Sequence, residues 1–316
     1  MERSAVCDLH WTKQAFMIGR DFFLPKWARS HALVPTPIVI NNNSLRIFSS
    51  FVDSEFIGRI AWIDLDYNGE TFKVREVSQI PYLEVGDESS FSEFGTGLGC
   101  FWPRENPEYL AYIGFSRPLG FKFKAFSGLK RVKITGVEGY KANIDVWLGG
   151  DKLGKTIVGI HDLIEINGLI YGFVSFGDDF EIIDQKPYPK YQVGLIGGSR
   201  LEELELISKM ILPIPKDVYR MGRPRAEITK RGIEVLVTAG TTDGRYFPLA
   251  YYSNDLKEWT AQSLESFRHT CLPQFDDKQQ CYLSRFSFQD KEFIVYNGND
   301  MGRFGFGIAT ATNSSS

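Results

Sequence analysis

Short apolar stretches separated by polar turns recur five times along this chain, at roughly 60-residue intervals. Each repeat holds an apolar strand ending in small or aromatic residues, a polar turn, and a second strand rich in Gly, Ala and aromatics. The first strands are expected at residues 45–51 (LRIFSSF), 109–115 (YLAYIGF), 170–176 (IYGFVSF), 234–240 (EVLVTAG) and 292–297 (EFIVYN). Their partners are expected at 58–64, 121–127, 191–196, 246–252 and 304–310. A repeat of this length made of short strands predicts a propeller blade rather than a solenoid coil. The expected fold is therefore all-β: a five-bladed β-propeller with its ligand site in the central channel. It fills a single domain, 1–316, with blades at about 31–85, 90–150, 156–212, 221–270 and 280–312.

Three segments fall outside the blade pattern. Residues 1–30 carry Trp11, Phe16, Phe22, Phe23 and Trp27, which predicts a packed lead-in rather than a tail. Residues 200–211 (RLEELELISKMI) nearly form a helical stripe, with Ser199 and Glu202 placed for a capping box. Alternation in ELELIS favours a blade's outer strand instead, and the strand is the expectation. The terminal residues 313–316 are expected to fray.

In a blade the innermost strand lines the channel and precedes the apolar strand. The corresponding segments are 30–40 (SHALVPTPIVI), 90–101 (SFSEFGTGLGCF), 158–166 (VGIHDLIEI), 221–228 (MGRPRAEI) and 282–288 (YLSRFSF). They hold His31, Glu93, His161, Asp162, Arg223, Arg225 and Arg285. Polar groups that converge on one axis are costly to desolvate unless a ligand satisfies them. His31 and His161 are expected at equivalent blade positions, as ligand-binding groups or as satisfied core histidines. Arg223 and Arg225 alternate, so both are expected on one face, either clamping a carboxylate or phosphate or bridging blades. Pro224 between them suits an innermost edge, where no ladder donor is needed.

Composition narrows the partners. With 36 basic and 39 acidic side chains the net charge is −3, which recommends neither a nucleic-acid nor a membrane surface. No apolar run is long enough to span a bilayer. The opening MERSAVCDLHWTK has charges and no apolar core, so a cytoplasmic location is expected. Cys7, Cys100, Cys271 and Cys281 lack metal-ligand spacing and are expected to be reduced, with a 271–281 disulfide as the alternative. Neither 151–155 (DKLGK) nor 302–307 (GRFGFG) is a complete phosphate loop. No cofactor and no metal site are expected.

Several of these stretches resemble a known group. SHALVPTPIV, LRIFSSF and GRIAWIDLD in the first blade, YLAYIGF in the second, GRPRAEI in the fourth and FIVYNGNDMGRFGFGIATA in the fifth are similar to the five-bladed propeller glycoside hydrolases. That superfamily includes arabinanases, β-xylosidases and invertases, and the resemblance is nearest to bacterial relatives of them. It implies glycosidic-bond chemistry by carboxylates, one protonating the leaving oxygen and another activating water or attacking directly. The superfamily draws these acids from the inner strands of blades one, two and three. Here blade one offers His31 and no acid, blade two offers Glu93 next to Ser92, and blade three offers Asp162 beside His161.

Three functions follow as expectations. The favoured one is a carbohydrate-active enzyme, glycosidase-like or glycosyl-transferring, acting on an anionic or nucleotide-activated sugar in bacterial surface polysaccharide metabolism. Glu93 and Asp162 would be its acid and base, and His31, His161, Arg223, Arg225 and Arg285 its substrate-binding groups. The alternatives are a sugar-binding propeller that has lost the full carboxylate set, and an interaction scaffold whose channel charges pair between blades.

Overall fold

The structure is a computed structural model, and it describes residues 3–118, 123–136, 139–149, 153 and 156–312. Most of the 151–155 stretch, the first two residues of the strand expected at 121–127, and 313–316 lie outside the described residues.

Five antiparallel meanders follow one another along the chain. Blade one is Ser30–Asn41, Ser44–Val52, Gly58–Tyr67 and Phe72–Val77, and blade two is Thr96–Trp102, Tyr109–Ser116 and Lys124–Arg131. Blade three is Ile157–Ile166, Leu169–Ile183, Lys186–Gly198 and Glu205–Ser208. Blade four is Val218–Thr229, Gly232–Thr241, Tyr246–Ser253 and Thr260–Gln262. Blade five is Cys281–Phe288, Lys291–Asn297 and Gly305–Thr312, and its outermost strand is His10–Met17 from the other end of the chain. Each inner strand contacts the next, and that of blade five contacts that of blade one, so the blades close into a ring.

The apolar stretches are second strands, and they are apolar because both of their faces are covered. Every residue of Ser44–Val52 is buried, as is nearly all of Gly232–Thr241. Side chains between neighbouring blades form the core: Phe48, Trp62, Tyr82 and Phe101 join blades one and two, while Phe51, Phe293 and Phe306 join five and one. Burying each such ring contributes about 2–3 kcal/mol.

The lead-in is packed, as its aromatic residues predict. His10–Met17 pairs in register from Thr312 back to Gly305, and its Lys13 ammonium is buried 3.1 Å from Asp276 and donates to the Phe267 carbonyl. Residues 200–211 take the strand option: Glu205–Ser208 pairs with Lys186–Gly198 after a single 3-10 turn at Leu201–Glu203. Ser199 caps nothing there; its hydroxyl donates to the Glu203 carboxylate. All four cysteines are free. Among the described residues no helix is long and apolar enough to cross a membrane.

Candidate functional site

Every inner strand is broken by a bulge part-way along. The register slips at 34–35 in blade one, at Gly99 in blade two, at His161 in blade three, at 223–224 in blade four and at 282–283 in blade five. A bulge kinks the strand and re-aims its side chains. Val34, Arg223 and Tyr282 pay for it with left-handed backbone, at φ of 55°, 55° and 58°. Gly99 serves where no side chain fits, since a Cβ there would lie 2.5 Å from the carbonyl oxygens of both Ala111 and Ile160.

The bulged residues of blades three, four and five converge where the inner strands enter the channel. Arg223 Nη1 lies 2.7 Å from the Leu98 carbonyl oxygen and 3.3 Å from His161 Nδ1, and its guanidinium stands 5.7 Å from the Tyr282 ring centre. Arg220, one turn of the zigzag earlier, is enclosed by the rings of Tyr219, Tyr246 and Tyr191 at 4.9, 4.9 and 5.8 Å. Its buried Nε has no hydrogen-bond partner among the described residues. His161, Tyr191, Arg220, Arg223, Tyr246 and Tyr282 line a cavity of about 320 Å³, within the size range of ligand sites, which runs from about 300 Å³ upward.

No Asp or Glu lines this cavity among the described residues. Burial lowers the pKa of Arg223, and only phenol and thiol groups push it back. Burial, together with the charges of Arg223 and Arg225, holds the His161 imidazole well below its ordinary pKa. A neutral His161 that accepts from Arg223 at Nδ1 carries its proton on Nε2 and is a donor there.

At the other end of the channel carboxylates line the space and pair with Arg104 and Arg3. A cavity of about 370 Å³ is lined there by Asp162, Arg225, Arg285, Arg104 and Glu227. Asp162 Oδ2 accepts from Arg104 at 2.7 Å and from the Ala226 N–H at 2.8 Å, and Oδ1 accepts from the Leu163 N–H. Burial pulls the Arg104 pKa down, and Asp162 and Glu227 raise it above its ordinary value. Arg285 pairs with Glu292 at 2.8 Å and Glu234 at 3.3 Å. Arg225 donates to the His161 carbonyl and to Thr36 Oγ1, tying blade four to blades three and one.

The seven sequence candidates are therefore dispersed. His161 and Arg223 meet at the entry mouth, whereas Asp162, Arg225 and Arg285 belong to the exit mouth. The alternation that would put Arg223 and Arg225 on one face is broken by the bulge between Gly222 and Arg225. His31 is not the counterpart of His161, because that register position in blade one is 34–35. His31 sits at an earlier irregularity, where Ser30 Oγ is 2.7 Å from its Nδ1 and its N–H donates to the Arg303 carbonyl. Its pKa is lowered by burial and by Arg303, against Asp300. Glu93 lies in a turn before the inner strand of blade two, where it accepts from the Ser89 N–H at 2.7 Å.

The mouth also contains Tyr246 and three residues that sequence reasoning passed over, Arg220, Tyr191 and Tyr282. Arg220 lies one residue outside the segment read as inner strand, and the tyrosines read as generic core. Among the described residues no cluster of three His, Cys, Asp or Glu side chains could hold a metal ion.

No family model matches the chain, and no curated protein matches its sequence. Solved structures do match over nearly its whole length. A glycoside hydrolase superposes with a TM-score of 0.64 at 10% identity, over 96% of this chain and 92% of its own. The catalytic domain of a GH62 alpha-L-arabinofuranosidase from Coprinopsis cinerea gives 0.59 at 15% identity, over 98% and 99%. The chain has the fold of the propeller glycoside hydrolases. A sucrose-6-phosphate hydrolase from Lactobacillus gasseri gives 0.58 at 10% identity, over 90% of this chain and 61% of that one. At these identities the likeness is one of fold, and the roles of individual residues rest on the geometry above.

Proposed function

We propose that this protein is a carbohydrate-active propeller that takes an anionic sugar at the entry mouth of its channel. One observation carries the reading: Arg223 lies in a cavity that offers it carbonyl, imidazole and phenol neighbours but, among the described residues, no carboxylate. A half-buried guanidinium without a counter-charge carries a desolvation cost, and an incoming carboxylate or phosphate removes it. Arg220 presents a second guanidinium to the same space, the tyrosine rings supply faces for a sugar, and His161 Nε2 supplies a donor. A nucleotide-activated sugar meets the same chemistry through its phosphates.

The experiment is calorimetric titration of the purified protein with glucose, glucuronate, glucose 6-phosphate and a nucleotide sugar. Binding of at least one anionic member, absence of binding by glucose, and loss of binding in Arg223→Ala are expected. Equal binding of glucose and its anionic derivatives would overturn the reading.

Catalysis is a second reading, favoured by the fold. Glycosidic cleavage by the usual route needs two carboxylates flanking one bond. Glu93 and Asp162 are the candidates as acid and base, although Asp162 is engaged by Arg104 at the opposite end. Glycosidase assays on aryl glycosides test it: turnover abolished by both Glu93→Gln and Asp162→Asn supports the enzyme. Ligand binding without turnover assigns the protein to sugar recognition.

A further inference from the structure

A second cavity, of about 510 Å³, opens beside the first, and the two share Arg223, Phe115 and Phe123. Its character differs. Phe94, Phe115 and Phe123 with Leu33, Val52 and Phe56 make it largely apolar. Phe115 and Phe123 meet edge to face at 5.7 Å and form the wall common to both spaces. The Phe94 ring is covered by Arg117 at 5.2 Å, and Phe56 stands at the rim 78% exposed.

One polar group in this apolar space is anomalous. Gly159, Gly222, Cys281 and Leu33 of four inner strands face Ser175, Thr238, Asn297 and Ser50 of the adjoining second strands. Three of those four polar side chains hold the bulge of the next blade. The Arg223 N–H donates to Ser175 Oγ, the Tyr282 N–H to Thr238 Oγ1, and the Val34 N–H to Asn297 Oδ1. Ser50 does not follow the rule: the residue lines the apolar cavity, and its buried hydroxyl has no partner among the described residues. A buried hydroxyl left unpaired is destabilising, and a ligand atom would satisfy it.

We propose that this apolar space is a subsite for an aromatic aglycone, so that the ligand is an aryl glycoside of an anionic sugar with a polar group on its ring. The anionic sugar occupies the arginine–tyrosine mouth, the ring packs between Phe94 and Phe115, and its polar substituent meets Ser50 Oγ. Arg223, common to both cavities, marks the junction. The inference rests on the anionic-sugar reading of the first cavity.

The test is calorimetric titration with two matched pairs of probes: methyl against 4-nitrophenyl β-D-glucuronide, and the 6-phosphates of methyl and 4-nitrophenyl β-D-glucoside. In at least one pair the aryl member is expected to bind tighter, on the order of tenfold or more given the apolar area it buries. Phe94→Ala is expected to erase that advantage while leaving the methyl member's affinity unchanged. Ser50→Ala is expected to weaken the 4-nitrophenyl member and to leave the unsubstituted phenyl analogue unaffected, a readout that a folding defect would not reproduce. Equal affinities within each pair would overturn the aglycone subsite and leave the anionic-sugar reading standing. No binding by any of the four would overturn the aglycone subsite, and no binding by the nucleotide sugar either would overturn the anionic-sugar reading with it.

Discussion

Arg223 Nη1 and His161 Nδ1 approach to 3.3 Å at the centre of the entry mouth, each delivered there by a bulge in its own inner strand. The contact fixes what each group can do. A guanidinium only donates, so the imidazole accepts at Nδ1 and stays neutral, and the positive charge of Arg223 is left for something else to balance.

That imbalance predicts opposite effects on stability and binding. Arg223→Met removes a half-buried charge without stranding a partner charge, so the ligand-free protein should melt at a higher temperature than the parent. Affinity for the anionic sugar should be lost in the same variant. Differential scanning calorimetry and titration on one preparation check both, and a lower Tm with affinity intact would contradict the account.

His161 predicts a pH dependence. Its folded pKa is depressed by burial and by the two arginines, while the unfolded imidazole titrates near its ordinary value of 6.5. Below that pH the unfolded chain binds a proton that the folded chain refuses, so stability rises with pH through this range. The contribution is complete above 6.5 and is lost as the pH falls through that value toward the folded pKa. His31 shifts in the same direction, and Glu234, with its carboxyl pKa raised mainly by burial, acts in the opposite one. Urea denaturation between pH 5 and 8 should therefore show a shallower slope in His161→Gln than in the parent.

Asp162 and Arg104 predict a structural role at the exit mouth. Arg104→Ala leaves a buried carboxylate with only backbone donors. Its cost should be about 2 kcal/mol, below the range for a fully buried pair because the Arg104 side chain is 36% exposed. Chemical denaturation measures it, and anionic-sugar affinity at the opposite mouth should be unchanged.

Gly99 predicts a packing limit in the channel wall. An added methyl would have to displace two backbone carbonyls from adjoining strands, those of Ala111 and Ile160. Gly99→Ala should cost about 1–3 kcal/mol, seen as a lowered denaturation midpoint with unchanged slope.

The blades were legible in the sequence because a second strand covered on both faces must be continuously apolar, and five such runs stand at regular intervals. LRIFSSF and EVLVTAG could hardly be anything else. The outer strand formed by residues 205–208 was legible on the same principle of alternation. The site was legible only in part. Inner-strand segments singled out His161 and Arg223, which the structure brings together at one mouth, yet the same reading grouped with them Asp162 and Arg225, which lie at the far end.

The division has one physical cause. Alternation tells which face of a regular strand a side chain takes, and the chain's own pattern determined the strands, their order and the covered faces. A bulge adds a residue to one strand without marking the sequence, and it reverses every orientation beyond it. Whether Arg223 meets an acid, whether Asp162 already has a partner, and whether Ser50 finds one depend on neighbours from other blades. Those neighbours are set when the ring closes, and only the tertiary structure decided them.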